Sequence, residues 1–166
     1  MIKIKNMVIL SRHLSVGAIA AAVMLITSGC DPAKSLEKEE AEEIQNFLNE
    51  HSDIEYVLKN SGLYYYDDTV GTGLLAMTHD TAYFFYRGTY LDGTQFDTNL
   101  GTTDTLIRPV NEGWLIAGVD EAITYMRVGG KAKVIIPSYL GYFNYVPIHF
   151  DIYLVRLVPG PGKKGK

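Results

Sequence analysis

From Ser61 onward, short extended runs alternate with breaks rich in Gly and Asp. The most regular pattern comes near the end, where Ile148, Phe150, Ile152 and Leu154 interleave with His149, Asp151 and Tyr153. A period of two predicts a strand with one buried face. By the same reading, strands are predicted at 63–66, Thr81–Tyr90, 105–110, Lys131–Ile136 and Ile148–Val158. Asp92-Gly93, set between an aromatic run and Phe96-Asp97, predicts a hairpin turn because glycine supplies positive φ without steric cost. The period changes in two places. Leu115, Val119, Ala122, Ile123 and Met126 share a helical stripe and predict a helix over 115–128, stopped by Gly129-Gly130. Ile44, Phe47, Leu48, Ile54 and Leu58 predict an accessory helix over 37–60, with Glu39, Glu40, Glu42 and Glu43 near its start, where a helix favours negative charge. The class is therefore α+β: an antiparallel twisted sheet wrapped on one central helix, with an added N-terminal helix.

Composition fits one domain with appendages. The 166 residues are 47% hydrophobic and 20% charged, and 12 Tyr with 6 Phe favour strands and an aromatic-lined interior. A net charge of -4 without a basic stripe argues against nucleic acid as a partner. The first 29 residues read as a secretory signal: Lys3, Lys5 and Arg12 precede the apolar run 16–26, which is shorter than the roughly 20 residues of a membrane span. Cys30, directly after Thr27-Ser28-Gly29, stands where a bacterial lipobox has its lipidated cysteine, although Thr27 replaces the commoner leucine. As the chain's single cysteine it cannot form an intramolecular disulfide. The expected organisation is a lipoprotein signal at 1–29, a tether at 30–36, the accessory helix, a domain over 61–158 and a disordered basic tail at 159–166. The expected location is the bacterial cell envelope, on a membrane through a lipid on Cys30.

Familiar reaction chemistries find little support. His13, His51, His79 and His149 are scattered without metal-ligand spacing, and no nucleophile elbow, P-loop or dinucleotide fingerprint appears, so neither metal nor cofactor is expected.

The order of short motifs is more informative. Gly71-Thr72-Gly73, Tyr86-Arg87-Gly88, DGTQFD at 92–97, LIAGVDEAI at 115–123, MRVGGKAKVIIP at 126–137 and FDIYL at 150–154 follow one another collinearly. The series resembles an FKBP-type peptidyl-prolyl cis-trans isomerase domain over roughly 62–158. The resemblance implies a shallow apolar prolyl pocket walled by Tyr86, Phe96 and Asp97. It also implies a hydroxyl from Tyr142 directed at the substrate carbonyl, these four being the catalytic set. Leu106, Leu115, Ile116, Val119 and Phe150 fall where the family binds substrate, and the implied partners are proline-containing polypeptide clients. Two features depart from the family. Val119 occupies the place of the tryptophan that floors the pocket, and only 143–146 separate Tyr142 from Pro147, so the flap over the substrate is largely missing. Trp114, five residues before Val119, gives no sequence-based ground for replacing the lost ring. The alternative function is a non-catalytic chaperone or protein-binding module that retained the scaffold.

Overall fold

The computed structural model describes residues 31–161. The expected signal at 1–29, Cys30 and residues 162–166 of the expected tail lie outside the described residues. The described residues fall into two units, divided after Ser35. In the described part of the first, the Asp31 carboxylate accepts the Ala33 N–H at 3.2 Å. Pro32 opens helix α1 (Pro32–Glu50), at the position where a missing N–H costs nothing.

These two residues move the helix start into the expected tether. The glutamates Glu39 to Glu43 consequently lie in mid-helix, and the first turn carries no acid. The other boundary also differs from the expected 37–60, since α1 stops at Glu50 and Ile54 and Leu58 are not helical. Instead Val57 and Leu58 form a short strand, β1 (Val57–Leu58), paired with Tyr64 and Tyr65. A turn makes this possible: Gly62, at φ 96°, donates its N–H to Lys59 O at 2.9 Å.

The second unit is built on a seven-stranded antiparallel sheet. After β1 come β2 (Tyr64–Thr69), β3 (Thr81–Tyr90), β4 (Gln95–Thr98), β5 (Leu106–Pro109), helix α2 (Ala117–Tyr125), β6 (Lys131–Ile136), a 3-10 turn (Ser138–Leu140) and β7 (Ile148–Val158). Spatial order is β1-β2-β6-β7-β3-β4, with β5 also on β3. Strand β3 pairs along its whole length with β7, from Thr81 opposite Val158 to Tyr90 opposite Ile148. On its other edge it is shared, β5 taking Thr81 to Phe84 and β4 taking Arg87 to Thr89. A side chain bridges the interval. The Asn99 carboxamide accepts the Tyr86 N–H at 2.7 Å and donates to Phe84 O at 3.2 Å, as a strand peptide group would.

Helix α2 lies on one face of this sheet. Val119, Ala122 and Ile123 of the helix, with Met126 just beyond it, pack among Phe84, Val134, Ile136, Ile148, Ile152 and Leu154 in one buried cluster. Gly118 permits the approach, because a Cβ there would lie 2.5 Å from Ile136 Cγ2. The helix is shorter than 115–128. Met126 leaves it in extended conformation, and the chain then pairs with residues 74–76, Ala76 N–H donating to Met126 O and Val128 N–H to Leu74 O. Those bonds satisfy the backbone better than another helical turn ending on two glycines would.

The opposite face of the sheet is also partly covered. Ile44 of α1 forms a second cluster with Leu91 and Ile135, joined by the half-buried Phe47 and Leu48. His149, on the polar side of the β7 alternation, is consequently buried and lies near the Tyr56 hydroxyl, Oη to Nε2 3.3 Å. Glu40 of α1 is buried too. Its carboxylate accepts both the N–H and the hydroxyl of Ser138, fastening α1 to the 3-10 turn. At the far end, Gly160 N–H donates to Asp80 Oδ1 at 2.9 Å, so the described start of the tail is held rather than free.

Candidate functional site

The hairpin at Asp92-Gly93 forms as its residues dictate. Gly93 adopts φ 86° and Asp92 Oδ1 accepts the Thr94 N–H at 2.8 Å, aligning β4 on β3. The register sets Gly88 opposite both Asp97 and Phe150. A Cβ at Gly88 would come within 2.7 Å of Phe96 Cζ and 3.0 Å of Phe150 Cζ. Glycine therefore allows the two rings to meet edge to face over the strand, their centroids 5.8 Å apart.

Beside them opens an apolar cleft of about 190 Å³. Tyr86 and Phe84 reach it from β3, Phe150 from β7 and Leu106 from β5. Leu115 and Ile116 enter from the lead into α2, Val119 from the helix itself, Asp97 from β4 and Tyr142 from the segment after the 3-10 turn. Of the nine residues expected at the site, eight line this cleft. Phe96 does not line it but packs on two residues that do, Phe150 and Tyr142, meeting Tyr142 edge to face at 6.3 Å.

Val119 is only 3% exposed and lies in the core cluster, so the cleft ends on an aliphatic floor. The sequence left two lining residues unassigned. Phe84 was legible, since it precedes Tyr86 by two residues and so shares its face of the strand. Trp114 was not, because it lies in a loop where no periodicity fixes direction.

One polar pair interrupts the apolar wall. Tyr86 donates its hydroxyl hydrogen bond to Asp97 Oδ2 at 2.8 Å. Burial first, then that bond and the carboxylate's charge, push the Tyr86 hydroxyl up to about 12. It therefore stays a protonated donor throughout the physiological range. Tyr142 is half exposed, and burial followed by the Asp97 charge raises its pKa as well. Such a set can bind an apolar ring and hydrogen-bond a carbonyl. It has no nucleophile with an adjacent base, so acyl transfer finds no support in it.

A larger opening of about 450 Å³ lies on the opposite face of the sheet, lined by Asp68, Arg87, Lys131, Lys133 and Asp151. There Asp151 is tied to Arg87 at 2.6 Å and Lys133 at 2.9 Å, and although burial opposes it, these partners hold its pKa below the ordinary value. Leu100 and Tyr153 also line that opening, but its ion pairs make it a poor place to strip water from an apolar group, and the cleft walled by Phe84, Tyr86, Leu106 and Phe150 suits one better.

Comparison with known proteins agrees with this architecture. The family model described as FKBP-type peptidyl-prolyl cis-trans isomerase matches residues 75–152. The FKBP-type peptidyl-prolyl cis-trans isomerase FkpA of Aeromonas hydrophila is 37% identical over 105 residues, covering 58% of this chain and 38% of that protein. Bovine peptidyl-prolyl cis-trans isomerase FKBP11 is 36% identical over 88 residues, covering 48% of this chain and 43% of its own. Human peptidyl-prolyl cis-trans isomerase FKBP10 is 43% identical over 63 residues, 38% of this chain and 11% of that protein. The chain thus spans less than half the length of these curated relatives. Among solved structures, FkpA from Escherichia coli superposes with a TM-score of 0.62 at 23% identity, covering 95% of this chain and 76% of that one. A peptidyl-prolyl cis-trans isomerase from Pseudomonas syringae gives 0.63 at 21% identity, covering 77% and 97%. At these identities the structural likeness speaks for the fold.

Proposed function

Because residues 75–152 form a domain of the FKBP-type peptidyl-prolyl cis-trans isomerase family, we propose that the cleft rotates Xaa-Pro peptide bonds in polypeptide clients. The observation that carries this reading is an apolar cavity whose wall holds the Tyr86–Asp97 pair and whose rim holds Tyr142. Rotation of a peptide bond faces about 18–20 kcal/mol, and an Xaa-Pro bond takes tens to hundreds of seconds unaided. Resonance makes the planar amide more polar than the twisted one, so water stabilises the planar form more. A pocket that removes water narrows this difference, and each 1.36 kcal/mol removed from the barrier gives about a tenfold rate increase. Phe150, Leu106 and Val119 supply the dry surface, and Ile116 borders it where α2 begins. Asp97 fixes the Tyr86 ring by its hydrogen bond, and Tyr142 offers its hydroxyl to the client carbonyl. No proton changes hands, so Asp97 orients rather than acts as a base.

The test is acceleration of isomerisation of a short Xaa-Pro peptide by the purified chain. Tyr142→Phe and Asp97→Ala should each reduce kcat/KM about tenfold or more. A folded protein whose rate equals that of buffer would favour the second reading, a client-binding module without catalysis. Val119 as a floor smaller than an aromatic ring, together with the exposed Trp114 and Phe143, supports that alternative.

We also propose that the protein works in the bacterial envelope, tethered through Cys30. The support is the sequence order of basic, apolar and small residues before that cysteine. Partition of the wild type into detergent with the membrane fraction, lost in Cys30→Ala, would be the expected result.

A further inference from the structure

We propose that Trp114 selects clients, its indole binding an apolar side chain that flanks the proline seated in the cleft. The inference rests on the isomerase reading above and goes beyond it by naming what determines substrate preference. Trp114 lines the same cavity as Tyr86, Val119 and Phe150, yet it is 68% exposed. A large ring at the mouth of a site, uncovered by its own fold, is surface available to a ligand.

The loop that presents it is anchored. Asp120, 4% exposed on α2, accepts the N–H of Asn111 at 2.6 Å and of Gly113 at 2.9 Å. Both residues adopt the left-handed conformation, Asn111 at φ 57° and Gly113 at φ 73°. The backbone just before the indole is therefore set before a client arrives, which limits the entropy lost on binding. Adjacent in the chain, Leu115 and Ile116 also line the cavity, so the wall continuing from the indole is aliphatic. That continuity favours an apolar flanking residue over a cationic one. The floor is the buried, aliphatic Val119, while the exposed indole stands at the edge of the same cavity, where a residue next to the seated proline would meet it.

The experiment compares peptides with Leu, Glu or Lys placed either just before or just after the proline. The purified full chain is used, with Trp114→Ala and Trp114→Phe as variants and circular dichroism as a check of folding. In the wild type, Leu at one of the two positions should raise kcat/KM about tenfold over Glu and Lys. The ratio should fall to within about twofold in Trp114→Ala and be partly kept in Trp114→Phe. Because Trp114 is the chain's only tryptophan, its emission gives an independent readout. The Leu peptide should shift it at concentrations where the Glu peptide does not. An unchanged Leu:Glu ratio in Trp114→Ala, emission unmoved by saturating Leu peptide, or preference for Lys would each overturn the proposal. Absence of isomerisation with every peptide would overturn the isomerase reading instead. Affinities from the emission titration would then replace kcat/KM, with the same Leu:Glu ratio demanded of them.

Discussion

Replacing Glu40 with alanine tests how α1 is fastened to the 3-10 turn that leads into Tyr142. Glu40 is 8% exposed and its carboxylate accepts two hydrogen bonds from Ser138, itself 5% exposed. Hydrogen bonds to a charged group contribute about 1.5–3 kcal/mol each, and a buried N–H left without a partner costs about 1–3 kcal/mol. Removing the carboxylate also relieves its own desolvation, which offsets part of the loss. The net expectation is a destabilisation of about 3 kcal/mol, or a fall in Tm of roughly 10 °C. Ser138 O accepts the Phe143 N–H at 2.8 Å, so loosening Ser138 also loosens the residue beside Tyr142, and kcat/KM should fall with stability. The assay is urea unfolding, with Glu42→Ala as control. Glu42 is exposed on the same helix and, among the described residues, is paired with exposed Lys38, so its loss should cost about 0.5 kcal/mol or less. If the two variants unfolded at the same midpoint, the clamp would contribute nothing and α1 would be held by Ile44 and its neighbours alone.

Two further outcomes follow from the packing. Burial lowers the His149 pKa to about 4, with Lys133, Arg87 and His51 adding to the effect while Asp151 opposes it. The unfolded chain therefore binds this proton first. Stability should be complete above the ordinary value near 6.5 and fall toward pH 4, by about 3 kcal/mol. Urea midpoints between pH 7 and 4.5 should drop more steeply in the wild type than in His149→Phe, and parallel slopes would contradict the account. Gly88→Ala should destabilise the fold by about 1–3 kcal/mol and distort the cleft, since the new methyl meets the Phe96 and Phe150 rings. A variant with unchanged Tm and unchanged peptide isomerisation would show that these rings yield freely.

The sheet was readable because its strands carry their own evidence. β3, β6 and β7 occupy the ranges that alternation and aromatic content predicted. Boundaries fixed by pairing elsewhere in space were not. Nothing local announces that Val128 will pair with Leu74, or that Val57 and Leu58 will leave a helical stripe for an edge strand. Glu40 shows the limit most clearly. It sits among four chemically similar glutamates between 39 and 43, and the phase of α1 against Ser138 singles it out. Asp120 was similarly hidden, because its partners are backbone amides without a sequence signature. At the site, eight of the nine residues inferred from ordered motifs line one cleft, while Trp114 depended on a loop conformation.

Asn99 has a consequence for how this protein can diversify. By holding Phe84 O and Tyr86 N through its side chain, it completes the β3 edge at the point where the main chain departs between β4 and β5. The excursion over 100–104 is then relieved of any duty in the ladder. Inserted residues there would lengthen a surface loop whose closure cost grows only slowly with length, while the strands on either side kept their alignment. A single carboxamide thus makes this corner a natural port for grafting new segments into an otherwise continuous sheet.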